Sequence, residues 1–135
     1  MTQEDKELLL KDLCSRLPYK VIVDYSYNAH DLRKGNYVKN VKHGSKCILT
    51  CDLLDVFMSP RQNEKGEYIK PYLFPMSSMT EEQSKVYHEL INGMFGTSAL
   101  INFEVLTDFF NANHFDYRGL IRKGLAIDAT NLNIY

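Results

Sequence analysis

The chain has 135 residues, a formal net charge of −1, 44 % hydrophobic and 24 % charged residues, nine tyrosines and no tryptophan. This balance is ordinary for a soluble globular protein and supplies no global field that would select nucleic acid, an anionic membrane or a basic partner. The length favours one domain, 1–135, able to fold without metals or disulfides.

The three cysteines, Cys14, Cys47 and Cys51, cannot all pair within one chain. With no secretory signal at the polar N-terminus, they favour a reducing compartment, and the protein is expected to be cytoplasmic. Leu8-Leu9-Leu10 is far too short an apolar run to span a membrane.

Residues 3–17 read as an amphipathic helix. Thr2 can cap it, with Asp5 at the capping-box position. Leu9, Leu13 and Leu17 form an apolar stripe that Leu10 and Cys14 widen. Glu7–Lys11 and Asp12–Arg16 are i,i+4 pairs expected on the solvent side. Pro18 ends the helix.

Residues 20–27 alternate as a strand, with Val21, Val23, Tyr25 and Tyr27 on one face. Asn28 to Gly35 reads as a loop. Residues 37–43 and 46–51 flank Gly44-Ser45, which suggests a hairpin with a type II′ turn. Residues 52–58 read as a strand, Ser59 to Gly66 as a polar loop, and 67–74 as a strand returning antiparallel to 52–58.

Pro71 and Pro75 bracket Tyr72-Leu73-Phe74, an edge strand or connector where a β-rich half gives way to a helical one. Ser78 with Glu81, or Thr80 with Gln83 one frame later, can cap the helix that follows. Apolar spacing extends that helix from Met79 to Phe95, with Gly96 as its stop. Ser98 to Asn102 has no clear period. Residues 103–112 return to helical spacing. Asp116 then reads as the cap of a last short helix, 117–123, with Gly124 after it. The tail from Ala126 to Tyr135 is expected to dock on the body.

Three blocks carry a resemblance. They are Lys11 to Tyr19; Pro71 to Pro75 running into Ser77–Gln83; and Asn113 to Ile121 followed by Lys123-Gly124-Leu125-Ala126. Together they resemble a family of short uncharacterised proteins from gut Bacteroidetes, often found near phage-like or mobile regions. The resemblance implies a bacterial, cytoplasmic, mobile-element context. It transfers no functional residue, because no block is a catalytic signature.

Four constellations bear on chemistry. His43, Cys47, Cys51 and Cys14 have the ligand types of a zinc site. On a strand, however, Cys47 and Cys51 would lie roughly 13 Å apart at about 3.3 Å per residue, so they read better as small buried hydrophobes. No metal and no cofactor is expected. Arg33, Lys34, Lys39, Lys42 and Lys46, with Tyr37 among them, form a basic segment that could follow a phosphate backbone and stack on a base. The plainer reading is a solvated hairpin whose lysines guard a sheet edge. His114, Asp116 and Arg118 with Tyr117 could make an acid–base pair and an anion clamp. The plainer reading has Asp116 capping a helix, His114 closing the one before, and Arg118 pairing locally. Most of Tyr25, Tyr27, Tyr72, Phe74, Phe109 and Phe110 should be core between sheet and helices, and any left exposed would form a partner patch.

The expected fold is α+β: an N-terminal helix, a mostly antiparallel sheet of four to five strands, and two or three C-terminal helices packed on it. Val21, Val23, Tyr25 and Leu49 should form its apolar face. Leu9, Leu13, Leu90, Ile91, Leu106 and Phe110 should cover it. The expected function is a non-enzymatic interaction or accessory role through another protein. The alternative is a nucleic-acid-binding accessory factor using segment 33–46. An enzyme around His114 and Asp116 is the third reading, and it requires both side chains to line a shared pocket.

Overall fold

The computed structural model describes the backbone of residues 1–33, 36–58, 68–93 and 99–135, and the side chains of 1–26, 45–55, 57, 68–92 and 103–135. Helix α1 (Gln3–Arg16) starts as its sequence requires: the Thr2 hydroxyl accepts the Asp5 N–H at 3.0 Å. Leu9 and Leu13 are buried, and so are Asp12 and Arg16. These four positions stand at i, i+3, i+4 and i+7, one face of a 3.6-residue helix. The solvent-side placement of the Asp12–Arg16 pair is therefore corrected: it sits inside. Glu7 takes a hydrogen bond from Gln3 Nε2 at 3.0 Å instead of pairing with Lys11. A 3-10 turn, Leu17–Tyr19, is built on Pro18 and ends at Lys20 with φ 56°.

Strands β1 (Ile22–Arg33) and β2 (Asn36–Ile48) pair antiparallel, from Ile22 opposite Ile48 to Arg33 opposite Asn36. Two expectations fall here. Residues 28–33 continue β1 instead of looping, with a register shift between Ala29 and Asp31. Gly44 and Ser45 lie within β2, opposite Ser26 and Tyr25, and form no turn. Cross-strand pairing satisfies the backbone groups of these polar residues, which outweighs their weak strand preference.

Residues 51–58 form helix α2 (Cys51–Met58), where a strand was expected. Thr50 decides the matter, its hydroxyl accepting the Leu53 N–H at 3.2 Å. Leu54 and Phe57, one turn apart, are buried. Short apolar runs fit either period, so only the cap distinguishes them. The loop expected over 59–66 lies outside the described residues.

Strand β3 (Tyr68–Leu73) pairs antiparallel with β1, from Val23 opposite Pro71 to Ser26 opposite Tyr68, and not with 52–58. The tail does dock: β4 (Ile127–Asp128) pairs parallel with β3, and the Ala129 N–H reaches Leu73 O at 2.8 Å. The sheet order is β2-β1-β3-β4, four strands and mostly antiparallel. The α+β class stands, although the sheet is not a meander. Because β3 covers only the first part of β1, the remainder of β1 and β2 pair as a two-stranded ribbon.

Helix α3 (Glu81–Gly93) uses the later of the two caps. Gln83 N–H donates to the Thr80 hydroxyl at 3.2 Å, and Thr80 N–H donates to Gln83 Oε1 at 2.9 Å. Ser78 instead donates to Pro75 O at 2.6 Å within a 3-10 turn, Met76–Ser78. The stop expected at Gly96 lies outside the described residues. Helix α4 (Ala99–Ala112) follows. No helix forms over 117–123; these residues turn through Gly119 (φ 75°) and Gly124 (φ 73°).

Two apolar clusters result. The first joins α1, α2 and the sheet through Leu9, Leu13, Val21, Val23, Leu49 and Leu73, with Tyr25 packed on it. This is the predicted sheet face with its α1 cover. The second gathers Leu106, Phe110 and Phe115 with Tyr87 and Leu90, where α3 meets α4. Backbone bonds between Phe74 and the His114–Asp116 segment, each 2.8 Å, join the end of β3 to the second cluster. Among the described residues, no helix is long and apolar enough to cross a membrane.

Candidate functional site

The His114–Arg118 segment closes α4. His114 N–H bonds Asn111 O at 3.2 Å and Phe115 N–H bonds Phe110 O at 2.9 Å, the paired bonds of a Schellman motif. His114 takes the left-handed position there, at φ 59°. Its ring stacks on Tyr135 with centroids 3.7 Å apart and planes 10° off parallel. Burial, with the nearby Arg16 charge, lowers its pKa to about 4, so the imidazole is neutral at neutral pH. Asp116 is buried, and its two oxygens accept the Leu120 and Ile121 N–H groups at 2.8 and 2.9 Å. The Asp116 carboxylate is thus committed to backbone amides, while the His114 ring stacks on Tyr135 with its Nδ1 buried and without a hydrogen-bond partner among the described residues. Asp116 organises a turn and not a helix start.

Arg118 does not pair locally. Its Nη1 reaches Asp12 Oδ1 at 2.9 Å and Ser15 Oγ at 3.0 Å, across 106 and 103 residues of sequence. Arg16 meets the same carboxylate with two bonds, Nε to Oδ2 at 2.7 Å and Nη2 to Oδ1 at 3.0 Å, and Nη2 also donates to Phe115 O at 2.7 Å. Asp12 and Arg16 side chains are fully buried, and Arg118 is 18 % exposed. Tyr117 lies against both guanidinium groups, 5.3 Å from Arg16 and 4.6 Å from Arg118. One carboxylate therefore serves two guanidinium groups, and a positive charge is left over. Sequence reading missed this cluster. Its signal was the helical period itself, which puts 12 and 16 on the Leu9–Leu13 face.

Beside the cluster a cleft of about 600 Å³ opens along α4. Its apolar lining is Met76, Tyr87, Phe103, Leu106, Phe110 and Tyr117, and its charged lining is Lys11 and Arg118. Phe103 is 61 % exposed at this surface. Its size and mixed lining are those of a ligand-binding concavity. Lys11 is exposed and makes no hydrogen bond or ion pair with the described residues. Of the four apolar residues that helical spacing puts on one side of 103–112, Leu106 and Phe110 are buried and Phe109 is half-buried, while Phe103 is exposed.

Of the basic segment, the side chain of Lys46 alone lies among the described residues. It is exposed, stands opposite Asp24 in the ladder, and places its ammonium 5.4 Å from the Tyr72 ring centroid. The side chains of Arg33, Lys34, Tyr37, Lys39 and Lys42 lie outside the described residues. The backbone register sets Arg33 opposite Asn36, Tyr37 opposite Leu32 and Lys42 opposite Asn28. Cys14 and Cys51 are exposed, and Cys47 is half-buried with its thiol pKa raised by burial. The buried-hydrophobe reading holds in part for Cys47 and fails for the other two. Cys51 stands at the start of α2, so the strand geometry assumed for the Cys47–Cys51 pair does not apply.

No family model, curated protein or solved structure matches this chain.

Proposed function

We propose that the protein is a non-enzymatic interaction or accessory protein, acting by binding a segment of another protein in the cleft along α4. The observation that carries this reading is an exposed Phe103 on an apolar concavity whose charged lining is cationic. Such a surface costs solvation free energy unless something covers it, and large aromatic residues are common anchors of protein interfaces. By contrast, the Asp116 carboxylate is held by two backbone N–H groups. The test is affinity capture from the native cell with wild-type protein and the Phe103→Asp variant, quantified by mass spectrometry. A partner retained by the wild type and reduced at least tenfold by the variant supports the reading. Equal capture by both proteins sinks it.

A second reading has one observation in its favour. Arg33 and residues 36–43 fall on the two-stranded ribbon beyond the reach of β3, and β-ribbons of this kind can enter a nucleic-acid groove. Binding of labelled single- and double-stranded DNA and RNA at two salt concentrations, with wild type and a K39E/K42E variant, tests it. Salt-sensitive binding lost in the variant favours it, and no binding at low salt removes it. Kinship with the Bacteroidetes proteins, a bacterial mobile-element setting and a cytoplasmic location are proposed on the three sequence blocks and the cysteine pattern alone.

A further inference from the structure

Three features of the cleft define what it would take. The floor is apolar and aromatic, with Leu106, Phe110 and Tyr117 offering ring faces and methyl groups. The charged side chains that line it are Lys11 and Arg118, with no carboxylate among the described lining residues. Behind them, Asp12 is shared between Arg16 and Arg118, so the buried carboxylate does not cancel the local positive charge. Arg118 spends only Nη1 on Asp12 and Ser15; its Nε and Nη2 make no hydrogen bond with the described residues. Arginine presents its donors as a planar fork, so these two nitrogens are placed side by side to grip one carboxylate. Tyr117, stacked 4.6 Å from the guanidinium, holds that fork in place.

We infer that the occupant is an acidic peptide segment with one large apolar anchor, its anchor on the Leu106–Phe110 floor and its carboxylates on Arg118 and Lys11. This rests on the interaction reading above. The groove on the other side of the α3–α4 pair differs: Glu82, Glu89 and Lys85 line it together with Val86 and Phe109. Its mixed charge gives no comparable preference. The contrast also matters for self-association, because the Glu82–Val86–Glu89 face carries the acidic and apolar chemistry that the first cleft would accept.

The experiment is a display selection of random twelve-residue peptides on the full-length protein, counter-selected on Phe103→Asp. Affinities of the enriched peptides are then measured for wild type and Lys11→Glu. The expected result is enrichment of Asp/Glu beside a Phe, Leu or Trp, with affinity reduced about tenfold by K11E and weakened by salt. Enriched peptides that are neutral or basic, or indifferent to K11E, would overturn the acidic occupant while leaving the interaction reading in place. Absence of any F103D-sensitive peptide would overturn both. Sedimentation of the protein alone supplies the remaining arm. Self-association abolished by K11E and by E89K alike would assign the cleft to a second copy and overturn an external partner.

Discussion

Asp12 is the residue on which most of the buried polar chemistry depends. It receives two bonds from Arg16 and one from Arg118. Removing one member of a buried ion pair leaves the other charged and desolvated, which costs about 3–5 kcal/mol. Asp12→Ala is therefore expected to lower unfolding free energy by about that much, measured by urea denaturation with unchanged m-value. A loss under 1 kcal/mol would show that the guanidinium groups find water in the native state. The bond from Arg16 to Phe115 O would then be the interaction that fixes α1. Residue types alone pointed the other way, because an Asp–Arg i,i+4 pair is commonly a surface feature. Position on the helix was the better guide, since burial follows the period more strictly than it follows polarity.

At the scale of elements, the caps of α1 and α3 were legible, while the Thr50 cap of α2, the turn at Asp116 and the strand partners were not. Thr2 and Thr80 cap as their sequences suggest, because a cap is settled within four residues of chain. Which strand pairs with which depends on groups far apart in sequence, and so Gly44-Ser45 looked like a turn while β1 was supplying it with a partner. Tyr135 illustrates the same non-locality. Its hydroxyl donates to Tyr72 O at 2.8 Å and accepts the Ile22 N–H at 3.0 Å, bridging β1 and β3 one position beyond the Val23–Pro71 pair. Burial of that hydroxyl raises its pKa to about 12, so it is protonated and able to donate across the neutral range. Tyr135→Phe should cost about 0.5–1.5 kcal/mol and speed exchange of the Ile22 amide selectively. Equal exchange in variant and wild type would mean that the bridge contributes no protection.

Taken as a molecule, the chain divides its apolar residues between a sheet-facing cluster and an α3–α4 cluster, joined where Phe74 meets the His114–Asp116 segment. The α+β class was legible because the hydrophobic period changes near residue 79. The cleft was not, since it is assembled from α1, α4 and the Tyr117–Arg118 turn, whose proximity no local pattern encodes. Phe103→Asp belongs to this scale. A side chain 61 % exposed contributes little to the core. The unfolding midpoint is therefore expected to stay within experimental error while partner capture falls, which separates a surface role from a folding role.

The contacts of α1 and of the first residue of β1 also set an order of events during synthesis. Arg16 bonds Phe115, Asp12 bonds Arg118, and Ile22 bonds Tyr135, at separations of 99, 106 and 113 residues. At roughly 5–20 residues per second, the ribosome makes those partners on the order of 5–20 s after α1. Until then Asp12 and Arg16 have no roof, and the nascent helix keeps its ion pair in water. Burial of that pair therefore waits on the C-terminal part of the chain, which supplies Phe115 and Arg118.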